Sequence, residues 1–296
     1  MRSLIGLLAV CLSSQGAFAW GQEGHAIVAE IAQRHLSPKA RARVAEILGP
    51  GASLASISTW ADDVRTHRPE TYNWHFVDIP LDIPTYAPAR DCKPEPHKGD
   101  CVVAEIARLR VALTRKRTKP AARREALKFL VHFVGDLHQP LHTLLEERGA
   151  NDRKVKFFTQ PNIAGRPTPK DDTNLHAVWD VGLIRHCVWG WNAYVARLES
   201  DWLPKHDIRA LAQGTVIEWA QEAHKAAKDT AFTVPMNADL GDDYVARVLP
   251  TLDRQLAVAG VRLARVLNEL FGSKPRPYRS SVPQDKPEGW QCGGGV

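Results

Sequence analysis

The sequence predicts an all-α protein, a single-domain helical bundle with long loops. Apolar residues recur at helical spacing rather than in alternation, no series of short β-branched segments bounded by turns suggests a sheet, and the length suits one sizeable core. Helices are expected over residues 24–35, 39–48, 102–117, 121–145, 174–184, 191–203, 208–232 and 241–270. Between them lie two polar loops, 80–100 and 149–172, rich in Pro, Gly or charge. Loops that long in a compact domain are usually functional or mobile, and each of these is flanked by candidate metal ligands. There is no internal repeat.

The two ends read differently. Arg2, the apolar run Leu4 to Leu12 and the small-residue site Ala17-Phe18-Ala19 predict an export signal over 1–19, so that the mature chain opens at Trp20, secreted or periplasmic. That apolar run is too short to span a bilayer, and nothing downstream has about 18 consecutive apolar residues, so no membrane insertion is expected. Removing residues 1–19 from 296 leaves 277, divided here into a functional domain at 20–271 and an irregular tail at 272–296 that carries four prolines and ends in Gly-Gly-Gly-Val. The formal charge of +6 becomes +5 when Arg2 leaves. This suits a polyanionic partner but equally an ordinary soluble surface. A monomer is expected.

Cys11 leaves with the signal, and the four cysteines that stay are read as disulfides in an oxidising compartment. Cys92 and Cys101 flank a Pro- and Gly-containing loop and are taken as a pair, leaving Cys187 with Cys292, although four cysteines permit three pairings and sequence does not choose among them. The spacings lack the CxxC pairs of a structural zinc knot.

The strongest local signal is His132-Phe-Val-Gly-Asp136-Leu-His-Gln-Pro-Leu-His142. At i and i+4 on a helix, His132 and Asp136 project from one face and can hold one metal. Pro140 is expected to kink the helix and aim His142 toward a second ion. His176-Ala-Val-Trp-Asp180 repeats the i, i+4 device. A third cluster joins Asp62 to His75 near turns. The fourth is the mature terminus itself, where the Trp20 amine, its carbonyl and His25 are placed to chelate an ion.

This set of residues resembles the S1/P1 nuclease family, secreted zinc-dependent single-strand nucleases in the superfamily that also holds zinc-dependent phospholipase C. The resemblance runs in motifs from Trp20 to about Asp180 and beyond that rests on helical texture and length. It implies an all-α fold and three zinc ions. Asp62, His75, His132 and Asp136 match the ligands of the first; His142, His176 and Asp180 match the second, which keeps open positions for water or substrate. Trp20, His25 and a bridging Asp136 match the third. The Trp20 to His25 gap and an Asp at 180 look like the nuclease branch rather than the phospholipase branch. The stretch between His142 and His176 is longer than in fungal and plant relatives, which bears on substrate access.

By the same resemblance Arg65 and Asn151 touch the substrate phosphate, Phe76 stacks on a nucleobase and Asp78 bonds to its edge. Asp62 orients the attacking water. The implied substrates are single-stranded DNA, RNA and 3′-nucleotides, with 5′-phosphorylated products. Bland readings weigh against several of these. A lone helical histidine is more often a hydrogen-bonded core residue than a ligand, and His35, His67, His97, His138, His186, His206 and His224 are given no role, His138 being allowed at most a bond to a ligand. The nine tryptophans are read as packing. The run Arg108 to Lys128 reads as a solvated helix pair rather than a nucleic-acid groove. Against the whole ordered set, the alternatives are a phospholipase C-type phosphodiesterase and an exported zinc-binding protein without turnover.

Overall fold

The computed structural model describes residues 20–158, 172–188 and 190–272. The helices are α1 (Gln22–Arg34), α2 (Pro38–Leu48), α3 (Trp60–Arg65), α4 (Pro88–Asp91), α5 (Val102–Thr114), α6 (Pro120–Leu137), α7 (175–187), α8 (Trp191–Arg197), α9 (Ile208–Leu211), α10 (Val216–Ala226) and α11 (Asp242–Phe271). The last of these runs 30 residues along the body and packs against α1 where Gly260 lets the axes approach. A Cβ at 260 would sit 2.6 Å from Ile31 Cβ and 3.2 Å from the Val28 carbonyl. α5 and α6 form an antiparallel hairpin beside this pair. Among the described residues no helix is long and apolar enough to cross a membrane.

Several helices are shorter or more broken than periodicity predicts. α6 stops at Leu137 instead of continuing to 145. Gln139, ahead of Pro140, is extended at φ −77° and ψ 116°, and a separate 3₁₀ turn Pro140–Thr143 follows. The proline ring disfavours helical backbone in the residue before it, so Pro140 ends the helix rather than kinking it. The expected helix 208–232 breaks at Gly214, which adopts φ +98°, and restarts with a capping box in which Thr215 and Glu218 exchange bonds. Part of α7 and the continuations of α8 and α10 take π-helical turns, Val178–Gly182, Leu198–Trp202 and Ala227–Ala231.

The expectation of no sheet is corrected by three short strands, β1 (Lys154–Phe157), β2 (Asp172–Asn174) and β3 (Ala238–Leu240). β1 pairs antiparallel with β2 and parallel with β3, in the order β2-β1-β3. Strands of three or four residues are too brief to leave a period in the sequence. The sheet has a structural consequence, because β2 runs directly into α7, whose N-cap Asn174 accepts a bond from the Ala177 amide.

Loop 80–100 contains the short α4 and ends at the disulfide Cys92–Cys101. Cys187 is also disulfide-bonded; its expected partner Cys292, the predicted signal 1–19 and the tail beyond Gly272 lie outside the described residues.

Candidate metal centre

The residues singled out above converge in the interior, between α1, α3, α6, α7 and the two 3₁₀ turns Pro69–His75 and Pro140–Thr143. α6 supplies His132 and Asp136 one turn apart, both fully buried. The 3₁₀ turns are stitched together, since the Val77 amide donates to the His142 carbonyl at 2.9 Å and the His142 ring donates to the His75 carbonyl at 2.8 Å. In this way the proline that ends α6 positions His142.

Four donor atoms form one tight group. Asp136 Oδ2 lies 3.0 Å from His75 Nδ1 and 3.2 Å from His132 Nε2, and those two nitrogens are 3.1 Å apart. Asp62 Oδ1 stands 3.5 Å from each nitrogen. A tetrahedron of ligands about 2.0–2.1 Å from an ion has edges of roughly 3.3 Å, so these spacings fit a zinc-sized cation. Asp136 turns its other oxygen the opposite way, 3.2 Å from His25 Nε2. One carboxylate thus faces two groups of donors, as a bridging ligand must.

A separate group consists of His142, His176 and Asp180. The two Nε2 atoms are 3.1 Å apart, and Asp180 Oδ2 is 3.3 Å from that of His176. Here the backbone fixes the imidazoles. His142 Nδ1 donates to the His75 carbonyl and His176 Nδ1 to the Gly149 carbonyl at 2.6 Å, while in the first group His132 Nδ1 donates to the Ser58 carbonyl at 2.7 Å. Since a carbonyl only accepts, each ring carries a proton on Nδ1, so that in the neutral ring the Nε2 lone pair is directed at the group.

The charge balance favours a cation. His25 Nδ1 and Nε2, Asp62 Oδ1 and Asp136 Oδ1 are buried with no hydrogen-bond partner, an arrangement that is costly unless something else pairs with them. Burial pushes the His132 imidazolium down, but the carboxylates of Asp136 and Asp62 outweigh it and lift His132 to about 10. Burial raises Asp62, yet His132 draws it down to about 2. Asp136 is likewise held well below the usual carboxylate range, burial notwithstanding, by His132 and by the neighbouring imidazoles of His25 and His75. Burial keeps the remaining imidazoles neutral, His75 at about 4, His176 at about 3 and His25 and His142 below their ordinary value. Two ionised carboxylates facing mostly neutral imidazoles form a ready receptor for divalent metal, and the three buried groups His25–Asp62–His132, His75–His132–Asp136 and His142–His176–Asp180 are each compact enough to hold an ion.

Comparison with known proteins points the same way. The sequence model described as S1/P1 Nuclease matches residues 20–272. Endonuclease 4 of Arabidopsis thaliana is 32% identical over 289 residues, covering 88% of this chain and 92% of that protein. Nuclease P1 of Penicillium citrinum is 31% identical, covering 86% and 99%, and Nuclease S1 of Aspergillus oryzae is 27% identical, covering 93% and 100%. The chain belongs to the S1/P1 nuclease family. It is accordingly a hydrolase acting on phosphodiester bonds.

Around these buried groups the structure places the other predicted residues as follows. Arg65, one turn beyond Asp62, donates through Nη2 to the Tyr72 carbonyl at 3.1 Å and lays its guanidinium 4.1 Å from the centre of the Tyr72 ring. Its charge reaches the second group, where, after burial, it helps keep His176 neutral. Phe76 is half-buried and meets Tyr72 edge to face at 6.3 Å. Asp78 is half-buried, and burial, helped by Glu95, Asp91 and Glu146, pushes its carboxyl up to about 6. The Asn151 amide donates to the Arg148 carbonyl. Trp20 is fully buried with its indole donating to the Gly135 carbonyl, and the next amide, Gly21, donates to the Asp180 carbonyl.

His138, allowed a bond to a ligand, makes none. Its Nδ1 donates to the Val134 carbonyl and its Nε2 accepts from Arg262 on the far side of α6. Sequence reasoning missed Gln139. This buried side chain donates to Asp180 Oδ1 at 2.5 Å and accepts from the Leu141 amide, tying the turn that carries His142 to a carboxylate of the same group. Its signal was its place between two ligands and before Pro140. Also missed was the backbone from Glu147 to Ala150, where all four residues have φ between 50° and 64°. Three of them are not glycine, and a left-handed turn built from such residues is strained. It delivers the Gly149 carbonyl to His176.

Proposed function

We propose that the mature chain, beginning at Trp20 after export, holds three zinc ions and cleaves single-stranded DNA and RNA to 5′-phosphorylated products, with 3′-nucleotidase activity. The observation that carries this reading is the convergence of Asp62, His75, His132 and Asp136 at tetrahedral spacings, with the second Asp136 oxygen turned to His25. Asp62, His75, His132 and Asp136 would hold one ion; His25, Asp136 and the Trp20 amine and carbonyl a second; His142, His176 and Asp180 a third. The family match that begins at Trp20 supports the export site, and the anchored Trp20 indole supports a fixed terminus there. When bound, zinc supplies Lewis acidity, lowering the pKa of coordinated water to about 7 and offsetting phosphate charge.

The protein's own groups do the rest. Asp62, lowered to about 2, is ionised at neutral and mildly acid pH, so it accepts a hydrogen bond from the attacking water and orients it toward phosphorus. Water adds, the bond from phosphorus to the 3′ oxygen breaks, and the leaving oxygen takes up a proton. Arg65 and Asn151 supply donors to the non-bridging phosphate oxygens. Phe76 stacks on the base 5′ to that phosphate, and Asp78 bonds to its edge. A base reaches Phe76 only out of its stack, which favours unpaired strands.

The test is a metal analysis and N-terminal sequence of the purified mature protein, together with hydrolysis of single-stranded DNA. Three zinc ions per chain, a terminal Trp20 and activity abolished by chelation and restored by zinc are expected. Lecithin cleavage without DNA cleavage would move the chain to the phospholipase reading, and zinc binding without turnover would make it a binding protein. An Asp62→Asn variant that folds and binds zinc should lose at least about 100-fold in kcat, since general acid–base groups contribute roughly 100- to 10,000-fold; undiminished turnover removes the assigned role.

A further inference from the structure

The turn joining α5 to α6 carries Arg115, Lys116, Arg117 and Lys119, all exposed. Among the described residues none of the four has a carboxylate within ion-pair distance, nor do Arg124 and Lys128 further along α6. Nearby acids are already engaged, Glu125 by Arg68 and Glu46 by Arg43. Among the described residues, therefore, the excess positive charge is not part of an ion-pair network.

Its position gives it a direction. Arg124, Lys128 and His132 stand at i, i+4 and i+8, so they lie along one face of α6 and climb about 6 Å per step toward the metal centre. The Lys128 ammonium sits 4.5 Å from the centre of the Trp60 ring, and Trp60 opens α3 two residues before Asp62. The row of cations thus continues over the element that carries Asp62. By helical rise the turn 115–119 lies about 18 Å or more from His132. A dinucleotide seated at the centre does not extend that far; a longer strand does.

We infer that the α5–α6 turn, with Arg124 and Lys128, is an anchoring surface for the polynucleotide strand beyond the scissile phosphodiester, and not the merely solvated helix pair expected from sequence. The inference rests on the nuclease reading above. Charge complementarity names the occupant: a cluster of cations without a described carboxylate partner matches the phosphates of an extended single strand, and such side chains hold phosphates without reading sequence. The surface acts on long substrates, raising their local concentration at the centre and leaving the chemistry of a short one untouched.

The experiment compares the zinc-loaded wild type with a variant in which Arg115, Lys116, Arg117 and Lys119 are each changed to Gln, and with Arg124→Gln/Lys128→Gln. Two quantities are read: kcat/KM on a thymidine dinucleotide and on a thymidine oligonucleotide of about twenty residues, and direct binding of a phosphorothioate version of the longer strand as salt rises. Wild type and variants should agree on the dinucleotide. On the long strand the fourfold variant should show a weaker salt dependence, by about 0.7 in log–log slope for each phosphate contact removed. If all four contribute, the wild type loses on the order of 50-fold more affinity between about 50 and 200 mM salt than the variant does. Identical salt slopes overturn the proposal, as does a parallel loss on the dinucleotide, which would mark a general change in the fold or field. Failure of the wild type to bind the long strand overturns it too. Salt-sensitive binding through the turn without hydrolysis of either substrate would instead refute the nuclease reading and leave this surface standing.

Discussion

Asp136 is the residue on which the arrangement of the centre depends most, and Asp136→Asn tests it with almost no change in volume. Both carboxylate oxygens are used, Oδ2 at 3.0 and 3.2 Å from His75 and His132 and Oδ1 at 3.2 Å from His25. An amide has one oxygen, so in either orientation its NH2 hydrogens point into one of the two groups. On the proposed assignment that group would lose a ligand atom, and the two ions one negative charge between them. Removing only an outer partner of a ligand weakens metal binding by roughly 10- to 100-fold. Loss of the ligand atom itself therefore sets a floor of about 100-fold, or about 2.7 kcal/mol. The variant should carry at least one zinc fewer per chain by elemental analysis and lose at least that factor in kcat/KM on single-stranded DNA. A folded Asn variant with the full zinc complement and activity within about tenfold of wild type would refute the bridging assignment and the pairing of the two groups.

Three further outcomes follow from the same geometry. Gly149→Ala puts a Cβ 2.5 Å from the Leu141 carbonyl and 3.4 Å from His176 Nδ1. It should cost about 1–3 kcal/mol in thermal or urea unfolding and lower zinc occupancy selectively at the His142–His176–Asp180 group, whereas unchanged stability and occupancy would deny the turn its positioning role. In the chelated protein His132 is raised from 6.5 to about 10, so its proton stabilises the fold fully below pH 6.5, and that contribution is lost as pH rises toward 10. The melting temperature of the chelated protein should fall across that window more steeply than that of the zinc-loaded protein, where the proposed coordination would hold His132 neutral; parallel curves in differential scanning fluorimetry would contradict this. Asp78, pushed up to about 6, becomes a pure acceptor as pH rises through 6. KM for 3′-nucleotides whose bases offer N–H donors should then improve relative to others, and Asp78→Asn should flatten the ratio.

What was legible in the sequence was the part of the site that repeats at helical spacing. His132 with Asp136 and His176 with Asp180 are one-turn pairs, and a period of 3.6 announces such pairs whatever surrounds them. The ordered set of nine residues carried the family and, with it, an all-helical body. The illegible part depends on backbone geometry that side-chain pattern does not encode. The three strands are too short to show alternation, yet they orient the entry to α7. Pro140 was visible, but whether it kinks a helix or ends one depends on where Gln139 finds its bonds, and it finds them at Leu141 and Asp180. The carbonyls of Ser58, His75 and Gly149 that fix three imidazoles belong to residues with no chemistry of their own in common. For these bonds it is the position of the carbonyl that counts, not the side chain that comes with it. The left-handed turn at Glu147–Ala150 makes the point most sharply, because three of its four residues are types that avoid such backbone. Strain of that kind persists only where the surroundings over-determine it. Here the surroundings are the His176 ring on one side and the Arg153–Glu147 ion pair on the other, so the cost is borne where it sets the direction of the His176 ring within its buried donor group.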